Sequence, residues 1–173
     1  NLAEVFIMVI CLILNLPIPL IAIHILWVNL ISDSLPALAL GSDKPSNDVM
    51  KQKPRKKEAS IFSNGGAKTV LLYGFIISMA TFISFIALPV GMAIKDGATI
   101  SNIYSIVLDE FKKDNVLEKA RTMSFVVLGL SELVHMIGMS SNKMSFVQIM
   151  KKKNYFMVAV ILISLILQVL VVQ

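Results

Sequence analysis

Long apolar runs separated by charged segments constrain the fold more than any other feature of this sequence. The runs cover residues 1–15, 20–40, 69–93, 123–139 and 155–172. A helix needs about 20 apolar residues to cross the hydrocarbon core of a bilayer. Hydrophobic residues make up 56% of the 173 residues, and the mean hydropathy is +0.78, which excludes an ordinary soluble domain. The sequence predicts an all-α integral membrane protein, an antiparallel helix bundle of about five spans with the first truncated.

The basic residues indicate which segments face the cytosol. The net charge is +5, but the lysines and arginines lie beside apolar runs, without an RNA- or DNA-binding motif. The positive-inside rule therefore places 41–66 and 140–153 in the cytosol. We expect the lipid bilayer as a partner and no nucleic acid. Cys11 is the single cysteine, so a disulfide framework is excluded.

Turn signals and charge divide the chain into regions. Pro17 and Pro19 end the first run, so the second run returns antiparallel to it. The predicted regions are a two-helix hairpin over 1–40, a cytosolic loop over 41–66, a span over 67–93, an extracytosolic loop over 94–121, a span over 122–139, a cytosolic loop over 140–153 and a last span over 154–173.

The extracytosolic loop carries apolar residues at helical spacing. They are Ile100, Ile103, Tyr104, Val107, Leu108 and Phe111. This pattern predicts a short amphipathic helix that rests on the membrane surface or covers the helix ends. A binding site for a partner is the alternative interpretation.

The second run contains the polar stretch Trp27–Pro36. Asn29, Ser32 and Asp33 are spaced i, i+3 and i+4, which places their side-chain oxygens on one helical face. Pro36 cannot donate a backbone hydrogen bond and crowds the carbonyl of Ser32, so we expect the helix to loosen there and expose carbonyl oxygens. An acidic residue inside a membrane indicates a functional site. The alternative is a polar cluster that only holds helices together.

Three carboxylates lie within the apolar runs. Glu4, Asp33 and Glu132 come from three helices and reach similar depth at 1.5 Å per residue. Without a membrane-embedded Lys or Arg, bound cations or protons must compensate their charges. Together with Asn1, Asn29, Ser32 and backbone carbonyls, they offer enough oxygens for one or two Ca²⁺ ions.

The histidines do not converge at a spacing typical of a transition-metal site. We interpret His24 as a packing or interfacial residue. His135 lies one turn from Glu132, where it could hydrogen-bond that carboxylate or exchange protons. We find no nucleotide-binding loop, no catalytic triad and no metallohydrolase motif, so we expect no catalytic residue in this chain.

Specific motifs resemble the type II P-type cation ATPases. The letters LWVNL at 26–30, SD at 32–33 and LPALALG at 35–41 closely resemble the sixth transmembrane helix of these pumps. The segment 45–55 looks like the cytosolic loop that follows it. The start of the chain resembles the ion-binding part of the fifth helix, and Thr122-Met123 followed by Glu132 resembles the eighth. The resemblance covers helices five to nine and is closest to calcium pumps.

The resemblance implies a set of metal ligands. Asn1, Glu4, Ser32, Asp33 and Glu132 would form one site. Asn29 and Asp33 would contribute to a second site that helix four completes. Asn29 is typical of calcium pumps, and an acid at Glu4 favours two sites. Ser32 stands where Thr is commoner, Ser34 where Gly is usual, and Lys51 where the cytosolic loop often has an acid.

The resemblance also implies a function that this chain cannot perform alone. Such pumps form an aspartyl phosphate and export Ca²⁺ from the cytosol, with protons returning as Ca²⁺ leaves. Mg²⁺ and ATP would bind only in the absent phosphorylation, nucleotide and actuator domains, and helices one to four and ten would be further partners. Because the chain begins at Asn1 inside an apolar run, we expect a piece of a longer multi-pass protein, in the plasma membrane if bacterial.

Two alternatives remain open. One is a pump of the same family for Na⁺, K⁺ or Mn²⁺. The other is a stand-alone truncated membrane module with a regulatory or passive binding role.

Overall fold

The computed structural model describes residues 1–42, 54, 60, 62, 65–139 and 155–172. All regular structure in these residues is helical. The helices are α1 (Leu2–Ile13), α2 (Ala22–Trp27), a π-helical segment (Val28–Asp33), α3 (Ser34–Gly41), α4 (Gly66–Lys95), α5 (Ile103–Phe111), α6 (Asp114–Met139) and α7 (Tyr155–Val172). The predicted fold class, an all-α membrane helix bundle, is confirmed.

Three stretches are long and apolar enough to cross a membrane. They are Ala22–Gly41, Gly66–Lys95 and Asp114–Met139. The first combines α2, the π-helical segment and α3, and the other two are α4 and α6. The apolar helices at the two ends of the described chain, α1 and α7, are shorter. The sidedness of the connecting loops stays a prediction.

The helical stretch Ala22–Gly41 widens at the place where the sequence predicted that it would loosen. The π-helical segment ends at Asp33, three residues before Pro36. Proline at this position removes the hydrogen bond to the Ser32 carbonyl and crowds it, which disfavours regular α-helical pairing. The Ser34 hydroxyl instead donates to the Asn29 carbonyl at 2.9 Å, five residues back. The widened turn therefore contains the polar residues of the predicted site.

Two apolar clusters hold the helices together. The larger one joins α1, α4, α5 and α6 through buried residues such as Ile7, Phe85, Phe111 and Leu128. The smaller one packs Ala39 of α3 against α6 and α7. Buried hydroxyls on α4 and α6 are satisfied within their own helices, as for Thr81, which donates to the Ile77 carbonyl at 2.8 Å.

The amphipathic helix of the predicted extracytosolic loop is α5, and it packs on the ends of α4 and α6. Its inner face contains Val107 and Phe111, which are 5% and 3% exposed. The prediction is wrong for Ile100, which lies in the turn before α5 and is 99% exposed. Helical spacing placed Ile100 on the apolar face, but the helix begins only at Ile103.

The helix that contains the fourth predicted span extends beyond it toward the amino terminus. We predicted it from residue 122, whereas α6 begins at Asp114. An acidic residue in the first turn interacts favourably with the helix dipole. Val116 and Ala120 are both buried on the same face, so packing extends the helix beyond its apolar core. The two predicted cytosolic loops, 41–66 and 140–153, lie almost entirely outside the described residues.

Candidate cation site

A cavity of about 290 Å³ lies between α1, the π-helical segment with α3, α4 and α6. Its wall contains four of the six predicted ligands, namely Asn1, Ser32, Asp33 and Glu132. Asn1 directly precedes α1, Ser32 and Asp33 belong to the π-helical segment, and Glu132 belongs to α6. The structure thus brings the polar residues of distant runs to one place.

The two other predicted ligands lie beside this cavity. Glu4 is not part of the wall; it is 6% exposed, and its Oε1 has no hydrogen-bond partner among the described residues. Asn29 donates its side-chain amide to the Ile25 carbonyl at 2.8 Å, and the amide also interacts with the Glu4 carboxylate. Glu4 and Asn29 therefore form a neighbouring pair that connects α1 with the π-helical segment.

The three carboxylates lie close enough for their charges to interact. Asp33 and Glu4 each act electrostatically on Glu132, and Asp33 acts on Glu4. The Oε2 atom of Glu132 is buried without a hydrogen-bond partner in the described part of the chain. Like charges in a low-dielectric environment repel each other strongly, so the cluster favours bound cations or protons.

These acids do not by themselves complete a metal site. Within residues 1–42, 65–139 and 155–172, no three side chains of His, Cys, Asp or Glu are placed to hold a metal ion. A hard cation with six to eight oxygen ligands would also need amide, hydroxyl and backbone oxygens. The cavity wall offers Asn1 and Ser32, and the π-helical segment lies alongside.

Two aromatic side chains, His135 and Tyr73, also lie at the cavity. His135 of α6 lines the cavity together with Tyr73 of α4, and their ring centroids are 4.5 Å apart. The pattern indicated His135 through its distance of one turn from Glu132. Tyr73 gave no signal, because an aromatic residue within an apolar span is ordinary. His24 faces elsewhere and stacks on Phe125 at 4.7 Å, consistent with a packing role.

Helices that can span a bilayer, together with an acidic cavity between them, define a multi-pass integral membrane protein with polar residues inside the bundle. A family model described as "Cation transporting ATPase, C-terminus" matches residues 17–173. The chain belongs to this family, which forms the carboxyl-terminal membrane region of P-type cation-transporting ATPases.

Individual relatives agree with the family. "Calcium-transporting ATPase 1" of Bacillus cereus is 38% identical over 173 residues, covering 100% of this chain and 19% of the relative. "Calcium-transporting ATPase" of Bacillus subtilis is 33% identical over 172 residues, which are 99% of this chain and 17% of the relative. An endoplasmic reticulum-type calcium-transporting ATPase of Arabidopsis thaliana is 29% identical over 180 residues, covering 99% and 18%. The chain thus spans less than a fifth of the length of these relatives.

Proposed function

We propose that this chain is the ion-binding membrane part of an ATP-driven P-type pump that exports Ca²⁺ from the cytosol. The observation that carries the proposal is the cavity lined by Asn1, Ser32, Asp33 and Glu132 beside a π-helical segment. Carboxylate, amide, hydroxyl and carbonyl oxygens are the ligands that Ca²⁺ prefers. The relatives that cover the chain from end to end bear the name calcium-transporting ATPase.

Charge compensation supports a cation as the cargo. Among the residues that line the cavity in the described part of the chain, none is Lys or Arg. Three interacting carboxylates with His135 as the one basic side chain in the described lining need further positive charge, either as Ca²⁺ or as protons. Alternation between these two occupants is the basis for proton counter-transport: Ca²⁺ binds the ionised acids from the cytosol, and protons neutralise them after its release.

The π-helical segment supplies both ligands and freedom to rearrange. Asn29, Ser32 and Asp33 all belong to it, so a change in its winding moves three of the proposed ligands together. π-helical turns frequently occur at functional sites. In the proposed cycle, phosphorylation elsewhere in the parent pump rearranges the helices and weakens the site. The phosphorylation and nucleotide-binding steps, with Mg²⁺ and ATP, belong to the rest of the parent, so this chain alone is inactive.

The test is Asp33→Asn in the complete parent pump, with Asp109→Asn as the matched control. Both changes replace a carboxylate by an amide, but Asp109 is an exposed residue of α5 that pairs with Lys112 at 2.7 Å. Membranes are incubated with labelled ATP over a series of Ca²⁺ concentrations, and the acid-stable phosphoenzyme is measured. We expect Asp33→Asn to abolish Ca²⁺-dependent phosphorylation and Asp109→Asn to retain it.

The outcomes separate the alternatives. Full retention of Ca²⁺-dependent phosphorylation in Asp33→Asn would refute the site. Phosphorylation of the unmodified parent by Na⁺, K⁺ or Mn²⁺ in place of Ca²⁺, in a metal-competition series, would keep the pump and change its cargo. A small native protein that is never phosphorylated would indicate a stand-alone module.

A further inference from the structure

The buried face of α7 carries two polar residues within an otherwise apolar helix. Ser164 and Gln168 are one turn apart and are 2% and 4% exposed. A primary amide inside a membrane bundle is costly unless it is hydrogen-bonded. The position of Gln168 therefore calls for partners on neighbouring helices.

Gln168 finds a partner on each of two helices. Its Oε1 accepts a hydrogen bond from Trp27 Nε1 at 3.3 Å, and its Nε2 donates to the Phe125 carbonyl at 3.4 Å. The amide thus uses its acceptor toward α2 and its donor toward α6. Each contact matches donor with acceptor, so one orientation of the amide satisfies both.

The surface of α6 provides space for this amide. A Cβ atom placed on Gly129 would lie 3.2 Å from both Nε2 and Oε1 of Gln168. Only a glycine lets the amide approach the α6 backbone this closely without displacement. Gly129 follows Phe125 by one turn, so the contact surface on α6 is continuous. We name Trp27, Phe125, Gly129 and Gln168 the Gln168 network.

The network ends next to the candidate cation site. Trp27 is the last residue of α2, and the π-helical segment begins at the following residue. Phe125 lies two turns before Glu132 on α6. Gln168 therefore connects the helix that carries Asp33 to the helix that carries Glu132.

We infer that Gln168 is a positioning residue for the cation site, because it fixes the start of the π-helical segment to α6 through Trp27. This inference rests on the proposed function. The stack of His24 on Phe125 gives α2 a direct contact with α6, one turn before Trp27. Because α2 is held at His24 and Trp27, the residue from which the π-helical segment continues has a fixed position. Gln168 itself touches no ion; it sets the spacing between the proposed ligands of two helices.

The experiment is a double-mutant cycle in the complete parent pump. Gln168→Leu removes both hydrogen bonds and keeps a side chain of similar size. Trp27→Phe removes the indole donor, and a third variant combines the two substitutions. The measured quantities are the Ca²⁺ concentration at half-maximal phosphorylation and the phosphoenzyme level at saturating Ca²⁺. Ser164→Ala is the control, because it changes a buried polar residue of the same α7 face whose hydroxyl has no hydrogen-bond partner among the described residues.

We expect each single substitution to raise the half-maximal Ca²⁺ concentration roughly threefold to tenfold, which is about 0.7–1.4 kcal/mol at 1.4 kcal/mol per tenfold. This is the size of effect that one neutral hydrogen bond produces. The phosphoenzyme level at saturating Ca²⁺ should stay near that of the parent, since the catalytic domains are unchanged. The double variant should shift the concentration no further than the larger single effect, because both changes remove the same hydrogen bond between Trp27 and Gln168.

Three results would overturn the inference. They are an unchanged half-maximal concentration in Gln168→Leu, additive shifts in the double variant, or an equal shift in Ser164→Ala. If Gln168→Leu does not accumulate in membranes, Trp27→Phe alone decides, since it keeps the aromatic ring. If the unmodified parent responds to another cation, the proposed cargo is wrong, and the same cycle measured with that cation still tests the role of Gln168.

Discussion

Helix α1 passes close to α4 at Gly74. The substitution Gly74→Ala tests whether this contact determines the affinity of the cation site for Ca²⁺. A Cβ atom at position 74 would lie 3.0 Å from Leu2 Cδ2, 3.1 Å from Cγ and 3.3 Å from Cβ. Ordinary van der Waals contacts are 3.4–4 Å, so the neighbour must move by a few tenths of an ångström. Leu2 directly follows Asn1, which lines the cavity.

The magnitude follows from which atoms can move. Rotation of the Leu2 side chain relieves the contacts with Cδ2 and Cγ, but Cβ is fixed to the α1 backbone. Overpacking in a well-packed core costs about 1–3 kcal/mol, and the partial freedom of Leu2 places this case at the lower end. If about 1 kcal/mol is lost from the ion-binding arrangement, the half-maximal Ca²⁺ concentration rises roughly fivefold.

The assay is Ca²⁺-dependent phosphorylation of the complete parent pump in membranes. Gly91→Ala is the matched control, because it lies in the same helix and has nothing described within 4 Å of its Cβ position. Both variants gain a similar helix propensity, so they differ in the contact with Leu2 and in the place of Gly74 in the cavity wall. Combining Gly74→Ala with Leu2→Ala should restore part of the affinity, since Ala at position 2 removes the contacts with Cδ2 and Cγ but keeps the contact with Cβ at 3.3 Å. Equal affinities for Gly74→Ala, Gly91→Ala and the parent would refute the reasoning.

Two further predictions concern the region around α5. Phe111 is 3% exposed and stacks on Phe85 with ring centroids 4.8 Å apart, so Phe111→Ala should lower the free energy of unfolding by about 3–5 kcal/mol. The solubilised parent should then lose activity faster on heating. Ile100→Ala, at an exposed residue, is the control, and equal effects of the two substitutions would contradict the assigned packing. The Tyr104 hydroxyl donates to the Leu14 carbonyl at 2.9 Å, so Tyr104→Phe should free the turn at Leu14 by about 0.5–1 kcal/mol, seen as roughly twofold to fivefold faster hydrogen exchange there. Unchanged exchange would show that this hydrogen bond does not hold the turn.

Local chemistry allowed the central part of the structure to be predicted. Pro36 acts on residues within one turn of itself, so the loosened helix before it could be read from the sequence. The meeting of Asp33 with Glu132 followed from depth in the membrane, because a bilayer aligns helices along one direction. Six assigned ligands remain a prediction, of which four line the cavity and two lie beside it.

Features that depend on the pairing of distant helices were not predicted. Gln168 is a polar residue within the apolar run 155–172, but its partners Trp27 and Phe125 lie more than 40 positions away in the sequence. The close approach at Gly74 likewise depends on which helix lies opposite it. Ile100 shows the converse error, since periodicity alone does not determine where a helix begins.

The π-helical segment has a consequence for the direction in which side chains point. Its backbone pairs residues five positions apart instead of four, so the segment holds one residue more than an α-helical turn would. Each residue of an α-helix corresponds to about 100° of rotation around its axis. Tightening Val28–Asp33 into an α-helix would therefore turn α3 by about that angle relative to α2. Since Trp27 is bound to Gln168, such a rewinding would rotate α3 while α2 stays in place.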